Sequence, residues 1–270
     1  MSELSSNLMI FSDLDGSLLD HDTYGWEPAR PWLERLAQLA IPVIITTSKT
    51  AAEVEQLREA LGLARFPYIA ENGALIALPA DWRSHPSYPR KIFDADYPFI
   101  CAQLNQLREK HAFRFKGFAD MDCAEVAALT GLSARDAELA RRREASEPIQ
   151  WLDDSDALLR FRQRLTDCGL SLTQGGRFYH VMGIGVSKGI AANWIKKQYP
   201  YKGEHHVTTI GLGDGPNDVS LLTAMDNAVV IKGKGNQLVD LPDNYAGRLY
   251  RTRSMGPAGW SEGLDHFLGD

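Results

Sequence analysis

Leu8-Met9-Ile10-Phe11-Ser12-Asp13-Leu14-Asp15-Gly16-Ser17 is the stretch on which the fold turns. An apolar run that ends in two aspartates and a glycine reads as a buried parallel strand with its chemistry at the carboxyl end and a sharp turn directly after it. At a spacing of two, Asp13 and Asp15 would both point outward if the strand ran on. Paired acids at such an edge can hold a hard cation, and one of them can attack phosphorus. A lone Asp-x-Asp-Gly also occurs as a surface turn, the lesser of the two readings, so its weight depends on what surrounds it.

Outward from this stretch, the first third of the chain alternates strand and helix. Residues 28–40 read as a helix with Leu33, Leu36, Ala37 and Ala40 on one face, and 41–47 as a β-branched strand. A second helix over 50–61 ends at Gly62, and 68–78 reads as a hairpin turning at Glu71-Asn72-Gly73. The last third repeats the rhythm, with a helix over 188–199, a strand over 207–212, a helix over 216–224 and a strand over 228–231. The pattern predicts an α/β fold, a doubly wound parallel-sheet (Rossmann-like) core. Between these parts the order loosens. Helices are expected at 97–111, 122–131, 133–144 and 155–168, and short strands near 90–95, 113–118, 148–152, 170–174 and 177–183. The expected division is a discontinuous core over 1–82 and 186–270, interrupted by an α+β cap over 83–185.

A second acidic loop, Gly211-Leu212-Gly213-Asp214-Gly215-Pro216-Asn217-Asp218, again follows an apolar strand. Pro216 stands where a dinucleotide loop needs glycine, and no Gly-Lys-Ser/Thr ending follows, so a nucleotide loop is excluded. What remains is a carboxylate-rich loop suited to magnesium. Thr46-Thr47-Ser48-Lys49 closes the second strand, where hydroxyls and backbone N–H groups can meet a phosphoryl oxygen. Lys188 opens a helix after Ser187; a cation there opposes the helix dipole and asks for an anionic neighbour.

The chain of 270 residues is 44% apolar and 24% charged, with a formal net charge of −6. That balance suits a globular protein, and no basic face for nucleic acid is evident. Cys101, Cys123 and Cys168 form no metal pattern and are expected as buried thiols. No signal peptide and no membrane-length apolar run is read, which makes the expected location cytoplasmic. The expected partner is a small-molecule phosphate ester, with no nucleic acid and no membrane; nothing here addresses oligomeric state.

Asp-x-Asp-Gly-Ser, a strand-end Thr/Ser, a helix-opening lysine and Gly-Asp-Gly-Pro-Asn-Asp occur in the order and rough spacing of the haloacid dehalogenase-like phosphatases, which the whole chain resembles. Within them the wording is similar to the mannosyl-3-phosphoglycerate phosphatases. That resemblance rests on Thr47-Ser48-Lys49-Thr50, Glu71-Asn72-Gly73 and the cap segments 129–132, 143–148 and 175–180. It implies Asp13 as nucleophile and Asp15 as general acid and then base. It implies Thr47 on the phosphoryl group with Ser48 as the alternative, and Lys188 neutralising phosphate. Mg2+ would be held by Asp13, the Asp15 carbonyl and Asp214, with Asn217 and Asp218 in support. Where many superfamily members have Thr-Gly-Arg this chain has Thr47-Ser48-Lys49, which leaves Lys49 without an inherited role.

For a phosphoglycerate ester, whose carboxylate calls for an arginine fork, the candidates are Arg142, Arg143 and Arg177, with Glu144 for sugar hydroxyls. A solvated helix face over 141–143 is the competing reading. His180 is read either as a ligand contact or as a satisfied core histidine. Two rival functions share the aspartyl-phosphate: a phosphosugar mutase, and a phospho-accepting signalling protein. The second acid of the pair argues against the latter, since a receiver has no leaving alkoxide to protonate.

Overall fold

Residues 7–175, 178–200, 207–234 and 239–269 are described in the computed structural model. Strand β1, Leu8–Ser12, is buried at every position. Helix α1, Arg30–Gln38, follows with Pro31 in its first turn. It buries Trp32, Leu33 and Leu36, a face shifted one position from the expected one, which leaves Ala37 and Ala40 exposed. The shift lets Trp32 donate its indole N–H to Asp265 at 2.7 Å. Next come β2, Val43–Ile45, and α2, Ala51–Ala60. Thr50 and Glu53 close a reciprocal capping box at the start of α2.

Strands β3, Tyr68–Ala70, and β4, Leu75–Ala77, form the expected hairpin around 71–73. Strand β5, Arg90–Ile92, anticipated among the strands of the insert, instead pairs with β4. After it run α3, Tyr97–His111; β6, Phe115–Gly117; α4, Cys123–Thr130; and α5, Ala134–Ala140. They are followed by β7, Ser146–Trp151; α6, Ser155–Asp167; β8, Leu170–Gln174; and β9, Tyr179–Gly183. The helix expected over 133–144 stops at Ala140, where the Arg143 N–H folds back to the Arg141 carbonyl in a turn.

The chain then returns through α7, Lys188–Gln198; β10, Thr208–Gly213; α8, Val219–Thr223; and β11, Asn227–Val230. Two further elements, β12, Arg248–Arg251, and α9, Gly256–Leu268, were not anticipated.

A five-stranded sheet in the order β12-β11-β10-β1-β2, parallel throughout, forms the centre. A Thr46–Ile69 bridge carries it on to β3. The order reverses between β1 and β10, which makes their carboxyl ends the switch point where such sheets place ligands. The second, antiparallel sheet runs β6-β7-β9-β8. Its own apolar cluster includes Ile100, Phe115, Phe161 and Val181. Entry to and exit from this excursion lie together: Gly183 packs so closely on Asp94 and the Phe93 carbonyl that a Cβ there would sit 3.0–3.2 Å from them.

The three cysteines, expected buried, are half-buried free thiols. Among the described residues no helix is long and apolar enough to cross a membrane.

Helix α9 seals the core from outside the region the sequence pattern marks. Trp260 is fully buried and donates its indole N–H to Ser12 Oγ at 2.8 Å, beside the first acidic pair. Trp260→Ala is therefore expected to cost about 3–5 kcal/mol through lost burial and the cavity left behind. The loss is measurable as a lowered urea midpoint, and an unchanged midpoint would refute this packing role.

Candidate active site

Ser12 lies opposite Leu212 in the β1–β10 pair, and the Asp13 N–H donates to the Leu212 carbonyl at 2.9 Å. The two acidic loops therefore leave the sheet side by side. Gly16 is left-handed (φ 77°), and a Cβ there would collide with the Asp214 carboxylate. Only glycine allows that approach. Carboxylate oxygens of Asp13, Asp214 and Asp218 lie within 4.8 Å of one another.

Lys188, first residue of α7, is fully buried beneath them. Its Nζ donates to Asp13 Oδ1 at 2.7 Å and to Asp218 Oδ1 at 2.6 Å. The anionic neighbours demanded by its place in the helix are these two. Asp218 Oδ2 accepts from the N–H groups of Asp214 and Gly215 at 3.1 and 3.0 Å, so both of its oxygens are engaged in holding the loop. Asn217 reaches across to Asn72, its Nδ2 donating to Oδ1 at 3.1 Å.

The cluster is short of positive charge. Burial and then the charge of Asp218 push the Asp13 carboxyl well above its ordinary value, against the pull of Lys188. Burial, with Asp218 next, raises Asp214 to about 7. Burial works to lower Lys188, but Asp13 and Asp218 outweigh it and hold it above its usual range. Asp15 Oδ1 is buried with no hydrogen-bond partner. Hard oxygen donors, surplus negative charge and an orphaned carboxylate oxygen fit a small divalent cation such as Mg2+.

Thr47 and Ser48 are distinguished by the strand that pins them. The Thr47 N–H donates to the Ile69 carbonyl, and its Oγ1 accepts from the Lys49 N–H at 3.2 Å, burying the side chain. Ser48 lines the cavity above the acids. Lys49, left without a role by the sequence, lies 3.1 Å from Asp15 Oδ2 and 3.7 Å from Glu53.

That cavity, about 520 Å³, has Asp13, Asp15 and Asp214 at one end and Phe118, Arg143 and Phe178 of the insert in its wall. Its volume suits a small molecule. Arg143 spans the two parts, donating from Nη1 to the Ser48 carbonyl and from Nε to the Ala140 carbonyl, both at 2.9 Å. Lys232 and Lys234, which the sequence did not single out, also line it, and Lys234 pairs with Asp22. Residues 141–143 lie beyond the end of the helix, and the solvated reading holds for Arg142 but not for Arg143.

Two candidates lie elsewhere. Arg142 is exposed and pairs with Glu138 one helical turn back. Glu144 turns to Arg90 at 3.3 Å. Neither lines the cavity. Arg177 falls outside the described residues. His180 lines the cavity with Nδ1 buried and unpartnered, so it is no satisfied core histidine. Burial, then the nearby charges of Arg143 and Lys188, lower it to about 3, and it stays neutral at physiological pH.

Residues 10–116 match the family model described as haloacid dehalogenase-like hydrolase. Solved structures of that fold superpose on nearly the whole chain. A Thermoplasma acidophilum protein is 18% identical, with a TM-score of 0.68, covering 97% of this chain and 99% of its own. A phosphatase of the haloalkanoate enzyme superfamily from Bacteroides thetaiotaomicron is 19% identical at 0.68, covering 100% and 98%. The Synechocystis sucrose-phosphatase, solved with sucrose and phosphate, is 15% identical at 0.63, covering 97% and 98%. The fold of this chain is theirs: a parallel α/β core with additional antiparallel sheets and a cap.

Behind the cavity wall, Glu147 of β7 is wholly buried without an ion-pair partner among the described residues. Its oxygens accept from the Tyr97 hydroxyl at 2.9 Å and the Ala119 N–H at 2.7 Å. Burial raises it to about 7, against the pull of those two bonds. A raised carboxyl binds its proton more tightly folded than unfolded, so stability falls as pH rises from about 4.5 through about 7. Glu147→Gln is expected to make the decline shallower by on the order of 3 kcal/mol, Asp13 and Asp214 supplying the rest, in urea midpoints taken between pH 4.5 and 8. A parallel decline in parent and variant would count against a buried ionisation at this residue.

Proposed function

We propose that this chain is a Mg2+-dependent phosphomonoester hydrolase in which Asp13 carries the phosphoryl group as an aspartyl-phosphate. The observation that carries the reading is Lys188 clamped between Asp13 and Asp218 at the switch point, with Asp214 alongside. The clamp fixes Asp13 Oδ1 and leaves its second oxygen as the nucleophile. Asp13, the Asp15 carbonyl and Asp214 would hold Mg2+, with Asn217 and Asp218 fixing the loop. When bound, the ion offsets the repulsion between a carboxylate and a phosphate dianion and stabilises transition-state charge.

In the first step the free Asp13 oxygen bonds to phosphorus as the bond to the leaving oxygen breaks. Asp15 gives that oxygen its proton. In the second, water attacks the same phosphorus while Asp15 takes the water's proton. The bond to Asp13 breaks and inorganic phosphate leaves. Ser48, at the cavity surface, and the backbone around Thr47 bind phosphoryl oxygens. Lys49 orients Asp15 between the two roles.

The substrate we propose is mannosyl-3-phosphoglycerate or a related phosphosugar. Arg143 in the wall supplies a cation for a carboxylate beside the phosphate, and the cavity leaves room for a sugar. The sucrose and phosphate held by a solved protein of the same fold support a polyol leaving group.

Phosphate release from mannosyl-3-phosphoglycerate, other phosphosugars and p-nitrophenyl phosphate tests the reading. Multiple turnovers with Mg2+ are expected; isomerisation without phosphate release would make the chain a mutase, and a single stoichiometric burst a phospho-acceptor. Chelation should silence the enzyme and Mg2+ restore it. Asp13→Asn is expected to lower kcat roughly 10³-fold or more while thermal stability persists, because the covalent step disappears. Parent-like turnover by that variant would overturn the mechanism.

A further inference from the structure

The turn Glu71-Asn72-Gly73 takes no part in the chemistry above, yet it touches four segments around the site. The Glu71 and Asn72 N–H groups donate to the Lys49 and Thr47 carbonyls, both at 2.9 Å, and so hold the phosphate loop. Asn72 accepts from Asn217 of the acidic loop. Gly73 lies so close to the Ser187 carbonyl that no side chain fits, which seats the turn on the start of α7 beside Lys188.

The Glu71 side chain points the other way, into the insert. It is fully buried. Oε1 accepts from the Glu144 N–H at 2.8 Å, and Oε2 from the Ala145 N–H at 3.1 Å and the Ser146 hydroxyl at 2.7 Å. No cation pairs with this carboxylate among the described residues. Its charge is met by three donors of one short segment, immediately after Arg143. Glu71 and Asn72 both sit at positive φ, 51° and 56°. Non-glycine residues rarely adopt that conformation unless the surroundings demand it. On the other side of Arg143, the Leu139 carbonyl accepts from Thr50 Oγ1 at 2.9 Å.

We propose that Glu71 is a positioning residue that latches residues 144–146 to the core and thereby sets the Arg143 guanidinium over the phosphate loop, where it selects esters bearing a carboxylate beside the phosphate. This deepens the proposed function and rests on it. A buried carboxylate bonded to backbone N–H groups is a rigid tie, and a guanidinium reads a carboxylate only when its edge is fixed. Without the latch, Arg143 keeps its charge but loses its register with the phosphoryl site.

The test uses the full chain with Mg2+. In Glu71→Gln an amide NH2 must face the N–H of either Glu144 or Ala145; Ser146→Ala removes one donor with less risk to folding. The probes are p-nitrophenyl phosphate as substrate and 3-phosphoglycerate, measured as substrate or as competitor. Both variants are expected to weaken apparent affinity for 3-phosphoglycerate, Glu71→Gln roughly 10-fold, with kcat for the aryl ester within about threefold of the parent. Joined to Arg143→Ala, Glu71→Gln should weaken 3-phosphoglycerate no further, since both remove one interaction. Equal losses on both probes, or additive losses in the double variant, would reduce Glu71 to a structural role and overturn the proposal.

Amide exchange at Glu144 and Ala145 reads the latch without any turnover. At least tenfold faster exchange in Glu71→Gln than in the parent is expected, on the order of the loss of one charge-assisted bond, and equal exchange overturns the latch. A parent inactive toward every ester would sink the phosphatase reading while this measurement still decides the latch.

Discussion

One buried ammonium group organises this molecule. Lys188 sits where water cannot reach, and a lone cation there would be prohibitively costly. Its two carboxylate partners come from the ends of adjacent strands, so the ion pair can form only when β1 and β10 are in register and α7 is packed across them. Removing the lysine would leave its buried carboxylates without a counter-charge, the kind of loss that costs a protein several kcal/mol. Three carboxylates around one lysine also leave two negative charges in excess when all are ionised. That excess is what the proposed divalent ion would offset, and after burial it is the next cause that raises the Asp13 and Asp214 carboxyls.

The division of labour among the acids follows from the same clamp. Asp218 spends both oxygens on the lysine and on backbone N–H groups of its own loop, so it shapes the site. Asp13 spends one and keeps one free. Asp15 is paired with Lys49 through one oxygen and leaves the other unpartnered, which is the freedom that the proposed acid–base role asks for. Their spacing in sequence is similar, but their hydrogen bonds assign them different work.

Much of this is legible in the chain because strand ends announce themselves. An apolar run stopped by acids and glycine marks both the edge of a sheet and its chemistry, which is why Asp13, Asp15 and Asp214 stand out, and Lys188, which opens a helix, gains its weight from occurring in one set with them. Choices between neighbours are not legible in the same way. Thr47 and Ser48 differ only in which is held by the Ile69 carbonyl, a contact made across the sheet. Arg142, Arg143 and Glu144 look alike as the end of a helix; the helix stops at Ala140, and the turn that follows sends one residue to the cavity and two away. Glu71 is visible as part of a turn, but its tie to residues 144–146 joins positions with no local signature. Helix α9 carries its signal in single large residues on a glycine-rich helix, where Gly259 and Gly263 let it lie close against the sheet, and that spacing weakens the apolar periodicity.

The contact between Gly183 and the Asp94 region bears on how such a chain could have been assembled. Because the two crossings of the insert lie against each other, the core experiences everything between them as a loop whose ends already meet. Closure cost grows only slowly with the length of such a loop. The parallel sheet can therefore keep its register while the intervening segment is lengthened, shortened or exchanged, and the floor that carries the acids can be retained while the roof above it is rebuilt.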